Sequence, residues 1–126
     1  SGLQASEEAV KAIKAKTSEV IMPFPGGVCR SGSKAGSIKY KLRASTNHPF
    51  CPGLKTLVPD SQLPESVNCV YEIVVNGLTV DAVKKAMGEG IKAAAGVSGV
   101  VRISAGNYGG KLGPYKAVLK EILGIT

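Results

Sequence analysis

Hydrophobic and polar positions along the chain change period several times, and each change marks an element. Ser6 to Lys16 predicts a helix. Val10 and Ile13, with Ala9, give it a narrow apolar stripe. Ser6 stands as its N-cap, Glu7 and Glu8 fall in the first turn, and Lys14 and Lys16 fall in the last. Glu19 to Met22 predicts a short strand, stopped by Pro23 and Pro25. Ile38 to Ala44 alternates, with Ile38, Tyr40, Leu42 and Ala44 on one face and Lys39, Lys41 and Arg43 on the other. Val67 to Asn76 is the strongest strand pattern. It places Val67, Cys69, Tyr71, Ile73 and Val75 on one face and Asn68, Val70, Glu72, Val74 and Asn76 on the other. Thr79 to Ala95 predicts a second helix, capped by Thr79 and ended by Gly96, with Val83, Ala86, Met87, Ile91 and Ala94 as its buried stripe. Gly88 and Gly90 inside it each cost about 1 kcal/mol relative to Ala, which predicts close packing or a ligand at that turn. Gly99 to Ala105 predicts a strand. Tyr115 to Leu123 fits both periods, with a slight preference for helix behind Pro114.

Three segments hold no regular period: 23–36, 45–66 and 106–113. They are rich in Gly, Pro and small polar residues and predict long shaped loops. Two amphipathic helices among half-buried strands predict an α+β fold. The expected form is a two-layer ferredoxin-like sandwich, with a mainly antiparallel sheet and both helices on one face. The whole of 1–126 reads as a single domain, which suits its length. The chain opens on Ser1 almost directly in a helical pattern, which reads as a processed chain or an excised piece of a longer one.

Composition narrows the class. Hydrophobic residues at 44% and charged residues at 20% are globular values. The longest apolar runs are only a few residues, so no membrane span is expected, and no signal-peptide pattern opens the chain. Cys29, Cys51 and Cys69 are an odd number with no C-x-x-C, as in a cytoplasmic protein with reduced thiols. His48 and Cys51 have H-x-x-C spacing, but structural zinc needs two such close pairs, so no metal site is expected.

Charge adds more. The net charge is +7, and from Arg30 to Lys55 the bases Arg30, Lys34, Lys39, Lys41, Arg43 and Lys55 stand without an acid among them. Such a field attracts anions: nucleic acid, an acidic membrane, or a small ligand bearing phosphates or carboxylates. Nucleic-acid surfaces also use aromatics for stacking, and here aromatics are 5% with no Trp. The segment Gly27 to Lys34 misses the phosphate-loop pattern, because Lys34 falls one place late and a strand follows where a helix is needed. Its backbone N–H groups with Arg30 and Lys34 remain a candidate anion cradle. Glu72 interrupts an otherwise apolar strand between Val70 and Val74. It lies either on a wet face of the sheet or in a desolvated place, where its pKa would rise into the range useful for proton transfer.

Five blocks, taken together, resemble a known family. They are Pro23-Phe24-Pro25-Gly26-Gly27; Ser31-Gly32-Ser33-Lys34-Ala35-Gly36-Ser37; Ala44-Ser45-Thr46-Asn47-His48; Val70-Tyr71-Glu72-Ile73-Val74-Val75-Asn76-Gly77-Leu78; and Ile103-Ser104-Ala105-Gly106-Asn107-Tyr108-Gly109-Gly110-Lys111-Leu112-Gly113. In order and spacing they are similar to formylmethanofuran:tetrahydromethanopterin formyltransferase, and the resemblance is to its C-terminal, distal lobe. It implies an enzyme of one-carbon metabolism and methanogenesis that moves a formyl group from methanofuran to N5 of tetrahydromethanopterin. Both coenzymes are then substrates, and no metal or prosthetic group takes part. It also implies a missing N-terminal lobe, a homo-oligomer (a tetramer), anionic substrates in preference to nucleic acid or membrane, and a strand as the last segment. By resemblance Glu72 is the catalytic carboxylate. Arg30, Ser33, Lys34 and Asn107 are the candidate substrate-binding residues. Two other readings stay open: a non-catalytic scaffold lobe of a formyltransferase/hydrolase complex, and a basic nucleic-acid-binding module.

Overall fold

The computed structural model describes residues 2–30, 63–105 and 114–124. In chain order the elements are α1 (Gly2–Lys16), β1 (Val20–Ile21), a 3₁₀ turn (Pro25–Gly27), β2 (Cys29–Arg30), β3 (Tyr71–Glu72), β4 (Asn76–Gly77), α2 (Val80–Ala95) and α3 (Leu119–Ile122). They divide between two compact units, one of Ser1–Val28 with Ile73–Thr126 and the other of Cys29–Glu72. The fold is mixed α+β, and both strand pairs are antiparallel.

The first unit is built on its two long helices. Helix α1 buries Ala5, Ser6, Ala9, Val10 and Ile13, a stripe at helical spacing. It begins at Gly2, so Ser6 is not its N-cap. Ser6 lies one turn in and donates its hydroxyl to the Gly2 carbonyl at 2.9 Å, which satisfies a polar group on the buried face. The helix starts earlier than its apolar pattern predicts, because Ala5 extends the buried stripe without being strongly apolar. Helix α2 matches its predicted span. The Thr79 hydroxyl accepts from the Ala82 N–H at 3.0 Å, and the Gly96 N–H closes the other end on the Ala93 and Ala94 carbonyls.

The buried apolar side chains among the described residues are Ala5, Ala9, Val10, Ile13 and Ala86, all on these two helices. Gly90 explains how the helices come so close. A methyl group there would stand 2.9 Å from Ile13 Cδ1 and 3.8 Å from Ala9 Cβ. The expected close packing at Gly90 is therefore between helices. Lys16 Nζ and Glu89 Oε2 approach to 3.6 Å at the edge of the same contact. Lys16 is exposed and Glu89 half-buried, so the ion pair adds modestly.

The remaining pieces of this unit lean on the helix pair. Strand β1 pairs with β4 in the register Val20↔Gly77 and Ile21↔Asn76. A Cβ at Gly77 would lie 2.5 Å from Val83 Cγ2, so the strand sits directly on the first turns of α2. The 3₁₀ turn rests on α1 through Gly27, whose φ of +79° and closeness to Val10 (2.9 Å for an added Cβ) both require glycine. Helix α3 packs on α2, with Ile122 Cγ2 beside Gly88. Helical spacing is therefore the correct reading of 119–122, and the strand implied by the resemblance is not formed there.

The Val67 to Asn76 pattern is not one strand. Among the described residues only Tyr71–Glu72 and Asn76–Gly77 are paired, and they pair with different partners in different units. Its alternation runs on unbroken, but the ladder partner changes between Glu72 and Asn76. Among the described residues no ladder includes 99–105, where a strand was expected. The expected strand at 38–44 lies outside the described residues.

Gly90→Ala tests the helix contact, because two effects oppose each other. Helix propensity favours Ala by about 1 kcal/mol. Overpacking against the buried Ile13 costs about 1–3 kcal/mol. The expected outcome is a melting midpoint lowered by a few degrees in the intact protein. A raised midpoint would mean that propensity wins and that Ile13 yields freely.

Candidate active site

Glu72 lies in the second unit, on β3. Strands β2 and β3 pair antiparallel, with Cys29 opposite Glu72 and Arg30 opposite Tyr71. Directly opposed residues of an antiparallel pair project to the same face, with Cβ atoms about 4.5–5.5 Å apart. Cys29 and Glu72 therefore share one face of the ribbon. Both are half-buried, whereas Tyr71 is exposed. The Cys29 thiol donates to the Glu72 carbonyl oxygen at 3.6 Å, a contact between residues 43 apart in sequence.

Burial, and then the negative charge of Glu72, push the Cys29 thiol above its ordinary pKa. A raised thiol pKa means less thiolate at neutral pH. Only the thiolate is a competent nucleophile, so Cys29 is poorly suited to carry an acyl group covalently.

The ribbon brings two of the candidate residues into adjacent register pairs, Glu72 and the backbone of Arg30. Ser33, Lys34 and Asn107 lie outside the described residues, as do His48 and Cys51. Sequence reasoning missed Cys29 as the neighbour of Glu72. No local signal links them, because their register is fixed only when distant segments pair. Among the described residues no three His, Cys, Asp or Glu side chains gather in a way that could hold a metal. No helix there is long and apolar enough to cross a membrane.

Residues 1–122 match the family model described as FTR, proximal lobe. The chain belongs to the formylmethanofuran:tetrahydromethanopterin formyltransferase family. This corrects the lobe: the matched region is the proximal one, not the distal one.

Among relatives, the formylmethanofuran–tetrahydromethanopterin formyltransferase of Methanothermobacter thermautotrophicus is 56% identical over 123 residues, covering 97% of this chain and 41% of that protein. That of Methanocaldococcus jannaschii is 56% identical over 125 residues, with the same coverage of 97% and 41%. Among solved structures, the formyltransferase from Methanosarcina barkeri superposes with a TM-score of 0.85 at 52% identity, over 96% of this chain and 41% of that one. The formyltransferase/hydrolase complex from Methylorubrum extorquens, solved with methylofuran, gives a TM-score of 0.84 at 42% identity, over 98% of this chain and 41% of the matched one. The chain thus spans about two-fifths of the length of the relatives it matches.

Thiol labelling checks the electrostatics of the ribbon. With iodoacetamide at pH 8, the exposed Cys69 should be alkylated well before Cys29, as read by peptide mass spectrometry. Faster labelling of Cys29 would contradict a neutral, shielded thiol.

Proposed function

We propose that this chain is the proximal lobe of an enzyme that transfers a formyl group from formylmethanofuran to N5 of tetrahydromethanopterin. The observation that carries this reading is identity of 56% over 97% of the chain to a formyltransferase of that name. The chemistry is acyl transfer between two nitrogens. N5 attacks the formyl carbon, a tetrahedral intermediate forms, and the C–N bond to methanofuran breaks. N5 loses a proton and the departing amine gains one. A single carboxylate between them suffices: Glu72 accepts the N5 proton as the new bond forms and returns it to the leaving nitrogen.

Donors aimed at the oxyanion complete the apparatus, a role assigned to the glycine-rich segments with Ser33 and Asn107. Arg30 and Lys34 meet the carboxylates and phosphate of the coenzymes, which act as substrates and not as bound cofactors. The basic run from Arg30 to Lys55 suits such polyanions. In this reading 1–126 acts as one α+β domain. It works with the rest of the polypeptide and with identical subunits, as a cytoplasmic homotetramer. A non-catalytic scaffold lobe is the second reading, supported by the similarity to a formyltransferase/hydrolase complex.

Glu72→Gln tests the catalytic reading. The substitution keeps the shape and removes the proton transfer. In the full-length enzyme kcat should fall by about 10²–10⁴-fold with little change in the binding of either coenzyme. A near wild-type kcat would leave Glu72 as an ordinary polar residue, whereas absence of formyl transfer by the unaltered full-length protein would favour the scaffold. Lys34→Ala addresses the basic segment. It should raise the KM of one coenzyme by a larger factor than it lowers kcat, and an unchanged KM for both removes Lys34 from the site.

A further inference from the structure

We infer that Cys29 is a positioning residue for Glu72, holding the carboxylate in place from across the β2–β3 ribbon. This rests on the reading of Glu72 as the acid/base of formyl transfer.

Three observations converge on the pair. Cys29 and Glu72 are the first and last residues of the second unit, so their pairing closes the segment that contains the whole basic run. Among the described residues the ladder that closes it comprises the pairs Cys29↔Glu72 and Arg30↔Tyr71. Closing a long segment carries an entropic cost that this pairing must offset. A side-chain bond across it reaches the backbone at Glu72 itself, from the Cys29 thiol to the Glu72 carbonyl.

A carboxylate that takes a proton from one nitrogen and gives it to another must be placed closely. A displacement of about 1 Å at a reacting group can cost about 10²-fold in rate. Because opposed side chains share a face, the small Cys29 side chain also sets the room available to Glu72. Its thiol stays neutral under burial and the charge of Glu72, so it holds the strand without placing a second negative charge beside the first. Arg30 and Tyr71, the other titratable residues of the ladder, pair with each other one step along.

The test uses the full-length enzyme with Cys29→Ala and Cys29→Ser. Alanine removes the donor, whereas serine keeps a hydroxyl that can reach the same carbonyl. The expected result is a kcat lowered about tenfold by Cys29→Ala, with both KM values unchanged and kcat largely restored by Cys29→Ser. Unchanged kcat in Cys29→Ala overturns the proposal, and so does an equal loss in both variants, which would mark a packing role only.

A second measurement does not depend on turnover. The thiol pKa of Cys29, read from the pH dependence of alkylation, should fall in Glu72→Gln because the neighbouring charge is gone. An unmoved pKa overturns the proposed coupling, and it decides the matter together with the serine variant if Cys29→Ala does not fold. If Glu72→Gln keeps its activity, the acid/base reading fails by that result. If Glu72→Gln is inactive while the Cys29 variants behave as wild type, only the positioning role fails.

Discussion

The contact of α1 with α2 at Gly90 is the constraint on which the first unit depends. Its described buried apolar side chains are five, and three of them are alanines. Small side chains offer little apolar area each, so the helices gain cohesion by coming close, where many weak dispersion contacts add up. Gly90 permits that approach and Ile13 fills the space it leaves. The other elements are registered to this pair. Val83 on α2 meets β4 at Gly77, β4 sets β1 through Val20, Val10 on α1 seats the turn at Gly27, and Gly88 receives Ile122. A change in helix spacing therefore reaches every described element of the unit.

Glu72 is held by different means. It belongs to the second unit, and its described support is a two-pair ladder with a thiol–carbonyl bond across it. Under the proposed function this segment would receive large, charged substrates, for which close-packed interiors leave no room. The division of labour follows from composition. Small and apolar residues collect on the helices of the first unit, while the run of bases without an acid lies in the second.

The helices were the legible part of the sequence. Val10 and Ile13 on one, and Thr79 and Gly96 at the ends of the other, are local signals, and local signals decide helices. Ser6 misled because its hydroxyl can serve a cap or a mid-helix carbonyl equally well, and only the burial of Ala5 distinguishes the two. The Val67 to Asn76 alternation was read correctly as extended chain but wrongly as one strand, since period says nothing about where a ladder partner changes. At the tail, the spacing of Leu119 and Ile122 was a better guide than the family resemblance. For the site, the apolar surroundings of Glu72 in sequence singled it out. Its partner Cys29 was invisible, because 43 residues separate two positions that only pairing brings together. The motifs identified the family, yet they assigned the wrong lobe.

The pairing of a thiol with a carboxylate bears on which acyl-transfer route the proposed site would run. A cysteine beside a formyl donor invites a thioester route, in which the thiolate takes the formyl group before N5 does. Two effects oppose it. Burial is the larger, and the charge of Glu72 is the second. They act at different moments of the proposed reaction. While Glu72 is ionised, both keep the thiol protonated. Once Glu72 has taken the N5 proton its charge is gone, but the intermediate has formed by then and burial still disfavours the thiolate. In the proposed reaction Cys29 would therefore offer no competing thiolate at either stage, and the pair would favour direct transfer between the two nitrogens.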